Sequence, residues 1–90
     1  MSVDLPKQKR QVVGGFPLSE FTKTESSNIT SVFHDGKSCL YIQFHNGKVY
    51  KYSVSSTGYK QLLEAQSIGK FFFQYIKDKC SFEEVDIKLE

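Results

Sequence analysis

Hydrophobic and polar residues alternate through Lys48-Val49-Tyr50-Lys51-Tyr52-Ser53-Val54. Side chains of an extended chain take opposite faces in turn. Tyr50, Tyr52 and Val54 therefore share one face, and Val49, Lys51 and Ser53 the other. The turn signal Asn46-Gly47 precedes this strand and a helix start follows it. A hairpin ends here and a helical layer begins. Cys39 to His45 alternates in the same way, with Leu40, Ile42 and Phe44 set against Tyr41, Gln43 and His45. Ser27 to His34 reads as the strand before it. Ile29, Val32 and Phe33 are its apolar content, and Asp35-Gly36 is the turn that ends it.

Loop length decides the register. A two-residue loop at Asn46-Gly47 would pair Ile42 with Lys51. It would throw Tyr50, Tyr52 and Val54 onto the face away from Leu40, Ile42 and Phe44, because the side-chain period is two. A three-residue loop, His45-Asn46-Gly47 with Gly47 in the left-handed region, pairs Phe44 with Lys48, Ile42 with Tyr50 and Leu40 with Tyr52. That loop gathers the apolar set on one face, and it is the one predicted. The opposite face then carries Tyr41, Gln43, Val49, Lys51 and Ser53 and is open.

Ser55 or Ser56 caps a predicted helix that runs to about Gln66, with Tyr59, Leu62 and Leu63 as its apolar stripe. Ser67 caps a second helix that runs to about Lys79. At about 100° per residue, Ile68, Phe72, Tyr75, Ile76 and Lys79 cluster on one side, with Phe71 at its edge. Lys70, Phe73, Gln74, Lys77 and Asp78 fall on the other. The tail from Phe82 to Leu89 alternates Val85, Ile87 and Leu89 with charged residues and predicts a short fourth strand. Met1 to Glu25 has a different character. Lys7, Lys9 and Arg10 make a basic cluster beside Pro6, and the apolar run from Val12 to Leu18 is broken by Gly and Pro. This arm is partly ordered, or packs on a neighbouring subunit, or reaches a phosphate. Val12, Val13, Phe16 and Leu18 need burial somewhere. The pattern as a whole predicts an α+β fold. A small antiparallel β-meander of three to four strands packs against two helices, with an N-terminal arm at residues 1–26 and the domain proper at 27–90.

Composition changes this picture in few places. Ninety residues make one small domain, which buries only about 60% of its unfolded surface. Eight Phe and five Tyr compensate by bringing large side chains to few positions. A net charge of +2 permits an anionic partner without demanding one. Cys39 and Cys80 are the only cysteines and form no disulfide framework, so free thiols in a reducing compartment are expected. There is no signal-peptide core and no run of the roughly 20 apolar residues needed to span a bilayer. These features point to a soluble, cytoplasmic protein with no membrane partner.

Catalytic chemistry finds little to work with. Ser27, His34 and Asp35 could supply nucleophile, base and orienting group on paper, but both histidines sit at turns. Two Cys and two His lack metal-ligand spacing, and no phosphate-cradling glycine loop is present. No enzyme activity, metal or cofactor is expected. Binding has the better case. Lys70, Phe73 and Lys77, with Gln74 at the edge, offer cations for phosphate, a ring for stacking and an amide for a base edge. Ser67 and Gly69 open the helix with small residues that can expose N–H groups to an anion. The plain alternative is a solvated helix face with Phe73 as a self-association contact. On the open sheet face, Tyr41 beside Lys51 is a second candidate stacking surface. Its alternative is a solvated or partner-covered sheet. Tyr50 and Tyr52 are read as core residues whose hydroxyls reach the rim.

Ser27-Asn28-Ile29, Leu40-x-Ile42-x-Phe44, Asn46-Gly47 and Tyr50-Lys51-Tyr52 occur in order. Leu62-Leu63-x-Ala65 and Ser67-x-Gly69-Lys70-x-Phe72 follow. In this order and spacing the run from Ser27 to about Phe82 resembles the KTSC domain. That short domain stands at the C-terminus of some lysyl-tRNA synthetases and also alone in bacteria and phages. The resemblance implies a small α+β fold and suggests binding to RNA or another nucleotide. Two departures stand out: Phe73 occupies a position where the family usually shows Asn before the Gln, and the N-terminal arm lies outside the family pattern. Three functions follow as expectations. The first is a non-enzymatic nucleotide binder, such as a phage-type protein that sequesters a cyclic dinucleotide immune signal at sites between subunits of a homo-oligomer, acting in the host cytoplasm if phage-encoded. The second is an RNA or tRNA-binding module. The third is a protein–protein interaction module.

Overall fold

A computed structural model describes residues 10–90 of the chain. Lys7, Lys9 and Pro6 of the basic cluster lie outside the described residues. The elements, in order, are β1 (Gln11–Val13), β2 (Phe16–Pro17), a single 3-10 turn (Leu18–Glu20), β3 (Thr22–Lys23), β4 (Ile29–His34), β5 (Cys39–Phe44) and β6 (Val49–Ser53). Helix α1 (Ser56–Glu64), helix α2 (Ile68–Phe71) with its π-helical continuation (Phe72–Ile76), β7 (Phe82–Val85) and β8 (Lys88–Leu89) follow. The fold is α+β. Strands β3-β4-β5-β6-β7 form one antiparallel meander in sequence order, and β2-β1-β8 form a second, smaller sheet.

The β5–β6 hairpin has the register that apolar alternation predicts. Ile42 pairs with Tyr50 and Leu40 with Tyr52, and the Phe44 N–H donates to the Lys48 carbonyl at 2.9 Å. Gly47 closes the three-residue loop with φ +87°, a conformation that costs a residue without Cβ little. The Asn46 side chain accepts the Lys48 N–H at 2.9 Å and tightens the turn.

With this register, one sheet face presents Val32, Leu40, Ile42, Tyr52 and Val54 to Leu62 of α1 and to Phe72 and Ile76 of the π segment, and these residues form a closed core. Ser55 caps α1 by accepting the Gly58 N–H at 3.1 Å. The predicted tail strand divides. β7 pairs with β6, Tyr52 opposite Phe82 and Val49 opposite Val85, while β8 crosses to β1, Val12 opposite Lys88.

Two expectations need correction. The second sheet face is not open. Residues 11–23 fold back over it, and Val13, Phe21, Tyr41 and Val49 form a second core with Phe16, Leu18, Phe33, Val85 and Ile87 packed around it. The residues that needed burial find it within the same chain. The second helix is also not a regular α-helix. The Lys77 N–H reaches back five residues to the Phe72 carbonyl at 2.9 Å, which defines the π turn. Each residue of such a turn advances by less than the α-helical angle. Over the three steps from Phe72 the lag swings Tyr75 outward, and it is 53% exposed rather than in the core.

Candidate functional site

A groove of ≈ 500 Å³ runs between the β5–β6 hairpin and the π turn. Six rings line it: Phe44, Tyr50, Tyr52, Phe72, Phe73 and Phe82. Strand alternation and register bring Phe44, Tyr50, Tyr52 and Phe82 to the helix-side face, and the π turn supplies Phe72 and Phe73. The rings touch in sequence. Phe72 lies 5.5 Å from Phe44 and 5.2 Å from Tyr52 between centroids, in edge-to-face contact. Tyr52 stacks on Phe82 at 5.6 Å, and Phe73 meets Phe72 edge-on at 5.6 Å. These are the separations at which aromatic pairs attract beyond simple burial. Tyr52 and Phe72 are buried and form the floor. Phe73 and Phe82 are 46% and 58% exposed and form the rim.

Polar groups gather at the same groove. Lys77 holds its ammonium 4.8 Å from the centre of the Phe73 ring, within cation–π range. Asp78 follows it in the lining, and Ser27, Asn28, His45 and Asn46 line the groove from the β4 and hairpin ends. His45 is fastened at both nitrogens. Nε2 lies 2.9 Å from the Ser26 carbonyl, to which it donates, and Nδ1 lies 2.8 Å from the Thr30 hydroxyl. It frames the rim. Burial, and next the neighbouring Tyr50 and Asp78, push the Tyr52 phenol up to about 12. Its hydroxyl is therefore a neutral donor at any physiological pH.

A model of the KTSC domain matches residues 25–82 of the chain. The chain belongs to the KTSC domain family. The matched span contains every ring of the groove and leaves β1, β2, β3 and β8 outside. No curated protein matches the chain.

The KTSC groove unites two of the residues singled out from sequence, Phe73 and Lys77. Lys70 and Gln74 are exposed on the same segment but do not line it. The small residues expected to bind an anion at the start of α2 do not line the groove. Ser67 spends its hydroxyl on the Lys70 N–H at 3.3 Å. Gly69 is buried so closely that a Cβ there would sit 2.9 Å from the Ser26 hydroxyl oxygen. Tyr41 is no stacking platform, being 6% exposed beneath the β1–β2 turn. Lys51 is engaged across the strands by Glu83 at 2.6 Å, which raises its pKa first by hydrogen bonding and then by charge.

Sequence reasoning did not assemble Phe44, Phe82, Asn28, Asn46 and Asp78 into a site. The available signal was the register itself, which already put Phe44 on the face of Tyr50 and Tyr52. The paper triad does not form. Ser27 and His34 stand at opposite ends of β4. His34 accepts the Gly36 N–H at Nδ1 and gives its Nε2 proton to the Val54 carbonyl at 2.6 Å. Among the described residues no three His, Cys, Asp or Glu side chains come together, and no helix is long and apolar enough to cross a membrane.

Proposed function

We propose that this KTSC protein binds a nucleotide without transforming it, in the aromatic groove between the hairpin and the π turn. The observation that carries this reading is a half-exposed Phe73 ring with the Lys77 ammonium held over it, at the mouth of a groove floored by further rings. A base gains stacking energy on such rings whatever its identity, and the cation answers a phosphate. The volume suits one base with its phosphate. A cyclic dinucleotide would then be held between the grooves of two subunits, and a small protein that only holds such a ligand acts by sequestering it. Among the described residues Lys77 is the one Lys or Arg in the lining, which disfavours the many phosphate contacts of an extended RNA site.

Calorimetry of the native protein against cyclic dinucleotides, mononucleotides and short RNA tests this. Phe73→Ala should weaken nucleotide binding about tenfold, the worth of one stacked base, and Lys77→Glu should abolish it. Silence across the panel, or affinities that neither substitution moves, overturns the proposal. Tight RNA binding with a steep loss on adding salt would replace it with the RNA-binding reading.

A further inference from the structure

We infer that Asp78 selects a guanine base in the aromatic groove by accepting the paired N–H donors of guanine's Watson–Crick edge. This rests on the nucleotide-binding reading and gives that site its ligand class. Lys77 and Asp78 place opposite charges side by side in the lining. A phosphate is drawn to the first and repelled by the second. The ligand must therefore turn a donor-bearing part toward Asp78. An ionised carboxylate only accepts, and it has two oxygens to satisfy. Among the described residues Asp78 makes no ion pair; the Lys–carboxylate pair formed is Lys51 with Glu83. Among the described residues nothing takes up its accepting capacity.

The four bases answer such a group differently. Guanine places N1–H and the N2 amino group next to each other, two donors spaced for two carboxylate oxygens. Adenine and cytosine each set a ring-nitrogen acceptor beside their amino group, and that lone pair would face the carboxylate. Uracil has one N–H flanked by two carbonyls. Guanine alone forms a bidentate, charge-assisted pair with Asp78. Its remaining edge atom, O6, is an acceptor. Asn46, in the same lining, spends its side-chain oxygen on the Lys48 N–H and keeps its amide protons unspent. The charge of Asp78 also reaches into the groove, since it contributes to raising the Tyr52 phenol after burial and Tyr50.

The test is calorimetry with GMP and AMP, on the full chain and on Asp78→Ala. GMP should bind at least about tenfold tighter than AMP, as loss of a hydrogen bond to a charged group costs. Asp78→Ala should abolish the preference, bringing GMP and AMP to about the same affinity, with an unaltered melting midpoint showing that the fold persists. Equal affinities, an adenine preference, or a guanine preference that survives Asp78→Ala overturns the inference. In those three outcomes nucleotide binding itself stands. Absence of binding by either mononucleotide would overturn this inference, while the nucleotide-binding proposal falls only if cyclic dinucleotides and short RNA are silent as well.

Discussion

The two faces of the five-stranded sheet are built from the same alternation and have opposite fates. On one face Tyr41 pairs across the hairpin with Lys51, and the chain's own residues 11–23 close over it until a glycine backbone touches the phenol. On the other face Tyr50 and Tyr52 pair with Ile42 and Leu40, and the covering layer is a helix pair whose second member loosens into a π turn. The cover of β1 and β2 builds a second core and leaves clefts of ≈ 350 Å³ and ≈ 450 Å³ beside it. The π turn leaves a groove with rings on its floor and rim. A tyrosine on a strand is thus neither core nor site by its own nature. The layer laid over it decides: the helical layer leaves a groove lined by rings, whereas the β1–β2 cover takes Tyr41 into a second core.

Phe72 gives the largest way to break this contrast, because it belongs to both the core and the groove floor. It is almost fully buried against Tyr52 and Phe44. Phe72→Ala should cost about 3–5 kcal/mol of unfolding free energy, through lost burial and the cavity left behind. It should also weaken nucleotide binding in whatever fraction stays folded. Urea titration by circular dichroism reads the first effect, and calorimetry well below the midpoint reads the second. A stable Phe72→Ala protein with full affinity would show that the floor is not where the ligand sits.

Much of this was legible from residues 27–66. Parity alone fixed the hairpin, because only one loop length puts Tyr50 and Tyr52 on the face of Ile42 and Leu40. Phe73 and Lys77 were found because spacings of four stay roughly aligned in either kind of helix. Two things were not legible. The cover of the second face is made of strands two or three residues long, interrupted by Gly14, Gly15 and Pro17, and so short a run has no period to count. The π turn adds a residue to a hydrogen-bonded ring without leaving any mark in composition, so helical counting put Tyr75 inside. The groove draws its lining from the β4 end, the hairpin, the π turn and β7 together, which is why it could not be assembled from spacing within one element.

The phenols offer a second, smaller effect that sharpens the same contrast. Tyr52 is pushed to about 12, first by burial, from an unfolded value of about 10. The folded state therefore holds this proton more tightly than the unfolded chain. The resulting stability is complete below about pH 10, where neither state ionises, and is lost as pH rises through about 12, amounting to roughly 2 kcal/mol. Tyr41 is also raised, burial again being the main cause. Unfolding midpoints between neutral pH and pH 12 should fall for the natural chain. Tyr52→Phe should remove most of the fall, and Tyr41→Phe less. If Tyr41→Phe removed the larger share, the closed face would be the more sensitive one.

Gly14 gives the smallest effect and the cleanest separation of the two faces. Its φ is +58°, and a Cβ there would lie 2.6 Å from the Tyr41 hydroxyl oxygen. Gly14→Ala must adopt a left-handed backbone and displace the end of the Tyr41 side chain. A cost of about 1 kcal/mol is expected, seen as a lowered urea midpoint. The groove lies on the other side of the sheet and shares no lining residue with this contact, so distant sites should behave additively. Affinity for any nucleotide the protein binds should match that of the natural chain at temperatures where both are folded. A Gly14→Ala protein that lost affinity along with stability would mean the sheet transmits the disturbance. The two faces would then be one coupled unit rather than a second core behind an independent groove.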